Sequence, residues 1–330
     1  MAQASQTRLA RAATHVAAPW TRPHIKAAMV DWVALSPHSI TYYGGAPTAS
    51  AMYVLVWGQA IGYAIAFVSI WALVVALLAA AGFGREICGA RRGTWALKVA
   101  MLMHHGLIAP LAIMGLMEDP AVQAMYRCFG CAEAAQLMNR DNTSPPLAAR
   151  MLTPITLGYF MGDLLLLSQW NLTKSGAFEN MLMLFHHVAS LAAWPGAIYF
   201  DWVARYVLLM LSYEFTGIWL TTLWLLSTAN LKKSVYYVLA GALFTFSFVI
   251  MRMIGAIPQL IAMWNAPPWS AEQQNKAQAG GIHRLCWVFS ISLVFPHLLN
   301  LFWGVKVVKG FAAVICKKKD SKTADGKKAK

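Results

Sequence analysis

What this chain has least of is charge: 12% of its 330 residues are Asp, Glu, Lys or Arg, where a soluble domain carries about 25%. From Trp32 to Gly84 there is no charged residue at all. With 58% hydrophobic residues and a mean hydropathy of +0.51, the composition excludes a string of soluble domains and points to a polytopic membrane protein. Acids are scarcer still, 13 against 27 Lys and Arg, yet the formal charge of +14 does not indicate nucleic-acid binding. Nine of the basic residues fall between Lys306 and Lys330. A lysine cluster beside a last span reads as a cytosolic, lipid-facing tail. Cysteine is sparse as well. The five (Cys88, Cys128, Cys131, Cys286 and Cys316) are too few for a disulfide scaffold. Cys128 and Cys131 form a C-x-x-C in RCFGC, either incidental or a local disulfide facing an oxidising lumen. No βαβ pattern surrounds it, which excludes a thioredoxin-like site. No second ligand pair lies nearby, which excludes structural zinc. Neither a metal nor a cofactor is expected.

Residues 1–30 lack acids but hold Arg8, Arg11, Arg22 and Lys26. Their Ala, Ser and Thr content is that of a mitochondrial transit peptide or of a disordered tail. No apolar core of a secretory signal follows.

A span needs about 20 mainly apolar residues. Seven stretches qualify: near 52–81, 96–117, 151–170, 181–200, 203–227, 234–264 and 285–309. The first and sixth are long for one crossing and can tilt or overhang. The expected fold is therefore an all-α integral membrane bundle of about seven spans. The tail 317–330 is disordered by composition. With the C-terminus in the cytosol, 16 basic residues lie inside and ten outside, the direction the positive-inside rule requires. That topology places 118–150 outside, with the C-x-x-C and the sequon at Asn142, and leaves the sequon at Asn171 in the cytosol. The last residues, KKAK, resemble a di-lysine signal, through which Lys327 and Lys328 would engage coat machinery and return the protein to the endoplasmic reticulum. A mitochondrial or plastid membrane is the alternative location.

The informative residues are the polar ones inside the spans: His104 and His105 in the second, Asp163 in the third, and His186 and His187 in the fourth. The fifth has Glu214, the sixth Arg252, and the seventh His297 and Asn300. An ionisable group at a helix centre costs roughly 2.5–3.5 kcal/mol on insertion scales and faces the bundle interior. At a rise of about 1.5 Å per residue, Asp163 and the pair His186–His187 lie at similar depth, about 10 Å from the cytosolic end. Their spans are joined by a short loop, so Asp163 and one of the two histidines can meet. Adjacent helical residues point about 100° apart, so only one histidine faces a given partner. A His–carboxylate pair is the unit of general base chemistry, because the acid sets the tautomer. The same pair can be a clasp between helices or part of a lipid or ion site. His104 and His105 raise a bis-imidazole haem reading, but their spacing does not favour it. A retinal reading fails because Lys306 lies at the end of the last span.

Several ordered pieces carry a family likeness: GYFMGDLLLL at 158–167, FHHVASL at 185–191, SYEFTG at 212–217, VIMRMIGAIP at 249–258 and LNLFWGVKVVKG at 299–310. In order and placement they resemble the TLC-domain family, the membrane superfamily that includes the ceramide synthases. The likeness runs from roughly Trp95 to Gly310. It implies a TLC-type bundle over 95–310, preceded by a tail over 1–50 and a first span with its loop over 51–94, and followed by a basic cytosolic tail over 311–330. In the ceramide synthase branch the motif opens with two histidines and ends in a His-Asp pair. Here His186 and His187 open it, and its end falls on Tyr213-Glu214. The SYEFTG form is instead similar to the branch described as lipid-homeostasis, trafficking or membrane-composition proteins.

The resemblance and the residues together imply binding, sensing or maintenance of membrane lipids, sphingolipids among them. His186, His187, Asp163 and Glu214 would form the polar floor of a lipid cavity. Arg252 would pair with Glu214 or hold an anionic head group. The rival is an N-acyltransferase using acyl-CoA, with His186, His187, Asp163 and Glu214 as its catalytic candidates. A membrane scaffold or trafficking receptor, in which the polar residues are only clasps, is a third reading.

Overall fold

The structure, a computed structural model, describes residues 49–138, 147–166, 177–199, 203–267, 270 and 286–328. The N-terminal composition over 1–30, both sequons and the side chains of Lys327 and Lys328 lie outside the described residues. The chain divides into two units, Met1–Val54 and Leu55–Lys330; the packing below is within the second.

The described elements are helical apart from a two-stranded hairpin, β1 (Glu86–Ile87) and β2 (Ala90–Arg91). The first helix, α1 (Ala49–Ala80), precedes it, and α2 (Arg92–Glu118) follows. Val56, Ala60, Ala64 and Phe67 of α1 are buried, at the 4-4-3 spacing of one helical face. Ile61, Ile65, Leu73 and Leu77 are exposed, as expected of a face solvated by lipid. The buried face of α1 meets α5 (Leu147–Leu165) at two glycines. A Cβ on Gly158 would lie 2.7 Å from the Ala60 carbonyl oxygen and 2.8 Å from the Ala64 amide nitrogen, and one on Gly162 would lie 2.6 Å from the Phe67 ring. Helices in lipid gain little from apolar burial against each other, so close backbone approach across small residues holds them. This gives the GYFMG segment a packing role.

The stretch expected as an outside loop, 118–150, begins with two short helices, α3 (Pro120–Arg127) and α4 (Ala132–Met138). Asp119 caps α3, its Oδ1 accepting from the Ala121 and Val122 amides, and Pro120 opens the helix. An acceptor followed by proline is a strong helix start. Cys128 and Cys131 are joined in a disulfide at the turn between α3 and α4.

The helix α6 (Ala177–Tyr199) packs on α5. The next, α7 (Ala204–Ser212), is buried at all nine positions, the pattern of a helix surrounded by others. It is followed directly by α8 (Glu214–Thr228), so the fifth candidate span is two helices with a break at Tyr213. The sixth is also composite: α9 (Val235–Ser247), a π-helical segment Phe248–Ile254, and α10 (Ala256–Asn265). Its length has a structural reason, because α10 packs on α3 and α4. Asn265 Nδ2 donates to the Gly130 carbonyl and the Tyr126 hydroxyl to the Gly255 carbonyl. The last helix, α11, runs Cys286–Lys328. It continues through the tail expected to be disordered, in keeping with the helix propensity of Lys and Ala.

Among the described residues, five helical stretches are long and apolar enough to cross a membrane: Val56–Ala80, Arg92–Glu118, Asn180–Ile198, Ala204–Thr228 and Val235–Asn265. The expected count of seven is not reached. The third candidate, α5, carries Arg150 and Asp163, which depress its hydropathy, and the seventh is part of α11.

Candidate functional site

Six polar residues from four helices project into the bundle. His104 and His105 share the buried face of α2 with Leu97, Ala100, Ile108 and Ala112. His105 reaches α8, where its Nδ1 lies 2.5 Å from Glu214 Oε2. The approach depends on Gly217, one turn along α8, where a Cβ would stand 2.9–3.0 Å from the imidazole. His187 of α6 turns to α5, its Nδ1 3.4 Å from Asp163 Oδ2. Its neighbour His186 points elsewhere, edge-on to Phe160 with ring centroids 5.7 Å apart. The spacing argument for one histidine meeting Asp163 thus resolves in favour of His187, which is 1% exposed, against Asp163 at 2%.

Two aromatic residues join the pairs. Tyr159 stacks on His104 at 4.1 Å and 24°, and meets the edges of His105 and His187, each at 5.9 Å. Phe160 stacks on His187 at 4.5 Å and 23°. Sequence reasoning passed over Tyr159 and Phe160 because aromatics in a span read as apolar filling; the signal was their place between Gly158 and Asp163. His105 takes the partner, Glu214, that was expected to serve Arg252.

The Nε2 of His104 is buried without a hydrogen-bond partner among the described residues. His104, His105 and Glu214 each offer one ligand atom, and these lie within 4.8 Å of one another. Two imidazoles and a carboxylate are a donor set that divalent zinc accepts. Here the carboxylate is already engaged by His105, and the two histidines are adjacent in sequence.

A second polar group lies one residue away from Glu214. Tyr213, at the break between α7 and α8, donates its hydroxyl to Gln259 Oε1 at 3.1 Å and accepts at its carbonyl from Arg252 Nη2 at 2.8 Å. Arg252 Nη1 donates to Asn300 Oδ1 at 3.1 Å. The guanidinium lies over the rings of Tyr213 and Phe248, at 5.4 and 5.6 Å from their centroids. Arg252 is carried by the π-helical segment, whose wider turn is closed by the Gly255 amide donating to the Ile250 carbonyl. Single π turns of this kind recur where a helix must re-aim a side chain. The expected ion pair between Arg252 and Glu214 is not formed: among the described residues no carboxylate lies within ion-pair distance of Arg252.

A third pair, unforeseen from the sequence, is structural. Arg205 Nε donates to both carboxylate oxygens of Asp119, at 3.2 and 3.0 Å, and both residues are buried. It ties the start of α7 to the end of α2. A groove of about 450 Å³ beside Leu298, Leu301, Phe302 and Val305 lies on the exposed side of α11, away from these clusters.

A multi-pass helical membrane protein with ionisable side chains paired inside its bundle is thus the class defined by fold and site. The TLC domain family model matches residues 94–309, two thirds of the chain, and the chain belongs to that family. The match takes in every polar residue described above. No curated protein and no solved structure matches the chain.

Proposed function

We propose that this protein handles membrane lipids, binding them inside its bundle and maintaining membrane lipid composition. The observation that carries this reading is the cluster of two imidazole–carboxylate contacts, His105–Glu214 and His187–Asp163, around Tyr159 and Phe160 in otherwise apolar helices. Ionisable groups are costly in spans, and such a cluster is suited to the polar part of a molecule whose remainder is apolar. His186, His187, Asp163 and Glu214 form the polar floor in this reading, with His105 added from the geometry.

The test is lipidomics on cells lacking the protein, rescued with the natural chain or with His187→Ala at matched expression. A lipid class that shifts on loss should return with the natural chain and not with the variant. Equal rescue by both would reduce the histidines to a helix clasp.

One observation favours a second reading, acyl transfer. Asp163 faces the imidazole of His187 as an orienting carboxylate faces a general base. The histidine would take the proton of an amine as it attacks an acyl thioester, and the thiol of CoA would leave. Tyr213 stands against it, because the synthase motif has a histidine at that position. Incubating the purified chain with acyl-CoA and a long-chain amine base distinguishes the two: only the second reading forms amide.

A further inference from the structure

Arg252 brings more donors than its surroundings accept. A guanidinium has five N–H groups and accepts nothing. Its Nη1 and Nη2 are used by Asn300 Oδ1 and the Tyr213 carbonyl, while its Nε is buried without an acceptor among the described residues. Asn300, 2% exposed, gives its oxygen to Arg252 and leaves Nδ2 buried without a partner. His297, one turn earlier on α11 and 8% exposed, has neither ring nitrogen satisfied. Tyr213 cannot relieve them: its hydroxyl is given to Gln259, whose own Nε2 is also without a partner. Arg252 Nε, Asn300 Nδ2 and Gln259 Nε2 are all donors, and a neutral His297 adds one more N–H; each buried donor left so costs roughly 1–3 kcal/mol, more if charged. The missing element is an acceptor carrying negative charge, and the carboxylate expected to supply it, Glu214, is turned to His105.

The level of the site fits an amphiphile. Arg252 is three residues from Gly255, whose carbonyl accepts from Tyr126 on α3, a short helix beyond the end of the span Arg92–Glu118. The guanidinium therefore lies towards the end of the bundle that α3 and α4 cap. On the other side, Tyr213 leads in one residue to Glu214 and the histidine cluster.

We propose that Arg252, Asn300 and His297 form a receptor for the carboxylate or phosphate head of an acidic amphiphile. This names the chemistry of the lipid in the function proposed above and rests on that reading for its context, but its test is separate. The full chain in phosphatidylcholine nanodiscs would be titrated with oleate, phosphatidic acid and inorganic phosphate, and occupancy read by native mass spectrometry after exchange from 0.5 M salt. High salt screens the lysine-rich tail but not a buried site. The expected result is that oleate or phosphatidic acid binds the natural chain at least tenfold more tightly than Arg252→Gln. Because that variant can lose folding, Asn300→Asp is the second arm. It sets a carboxylate of nearly the same shape against the guanidinium and is expected to fold and to lose the same affinity. Gly241→Ala, where an added Cβ meets nothing closer than 3.8 Å, lies outside the receptor and the histidine cluster and should keep it; binding by the natural chain together with lipid rescue by His187→Ala would defeat the general reading and leave the receptor standing. Saturation by inorganic phosphate alone, without preference for either amphiphile, overturns the amphiphile. Equal binding by the natural chain and both variants overturns the site.

Discussion

The imidazole of His105 and the carboxylate of Glu214 meet at 2.5 Å across α2 and α8, and they can do so because residue 217 has no side chain. His105 is buried and Glu214 partly so, at 7% and 13% side-chain exposure. Removing one partner of a buried pair leaves the other uncompensated, at a cost of about 3–5 kcal/mol, whereas replacing both with apolar groups is often neutral. We expect His105→Leu and Glu214→Leu each to lower the thermal unfolding temperature of the purified chain strongly. The double variant should be more stable than the sum of the single losses predicts. Additive losses would show that the two side chains are not coupled.

Gly217 supplies a second prediction. A methyl group there would stand 2.9–3.0 Å from the His105 ring, and overpacking of this kind costs about 1–3 kcal/mol. At Gly241, in α9, the nearest atom to an added Cβ is 3.8 Å away. Gly217→Ala should therefore destabilise the chain while Gly241→Ala leaves it unchanged or improves it, by up to about 1 kcal/mol from helix propensity. Denaturant titration of both variants in the same detergent checks the contrast, and an equal response would remove the packing argument.

The pair Asp119–Arg205 separates charge from capping. Asp119 accepts from two amides at the start of α3 and from Arg205 Nε with both oxygens. Asp119→Asn keeps one side-chain oxygen for the cap but loses the charge and the second acceptor; Asp119→Ala loses everything. The expected order of stability is natural, then Asn, then Ala, with a cap alone worth about 1 kcal/mol. Arg205→Lys should not restore the bridge, since an ammonium cannot reproduce the planar donor. Melting curves of the three variants would show the order, and a neutral Asp119→Ala would discard it.

Apolar runs of span length and the rarity of charge are properties of the chain, so the helical membrane class was legible in the sequence. So was the meeting of Asp163 with one of two adjacent histidines, which depends on depth and on the angle between neighbours. The choice of His105 for Glu214 was not legible: it turns on how closely α2 and α8 approach, which Gly217 permits but no spacing rule encodes. The π turn at Arg252 was hidden for a related reason, because a turn with one extra residue changes no composition and shifts the face of everything after it. The cap at Asp119-Pro120, by contrast, was a local signal in plain view within a stretch read as loop.

By the resemblance to the synthase motif, Tyr213 falls where that motif has histidine, and its contacts give a prediction about function. Its hydroxyl is bound to Gln259 and its ring lies against Arg252, while only its backbone carbonyl receives the guanidinium. Tyr213→His keeps the carbonyl, shortens the side chain and leaves Gln259 without its donor. Tyr213→Phe removes the hydroxyl alone. Losing the hydrogen bond should destabilise both variants, by about 1–3 kcal/mol if Gln259 is left unsatisfied. If the chain were an acyltransferase lacking one group, Tyr213→His would raise amide formation from acyl-CoA and Tyr213→Phe would not. We expect neither variant to form amide above the natural chain, and both to melt earlier. Amide formation that appears with histidine and is absent with phenylalanine would move the protein to the catalytic reading.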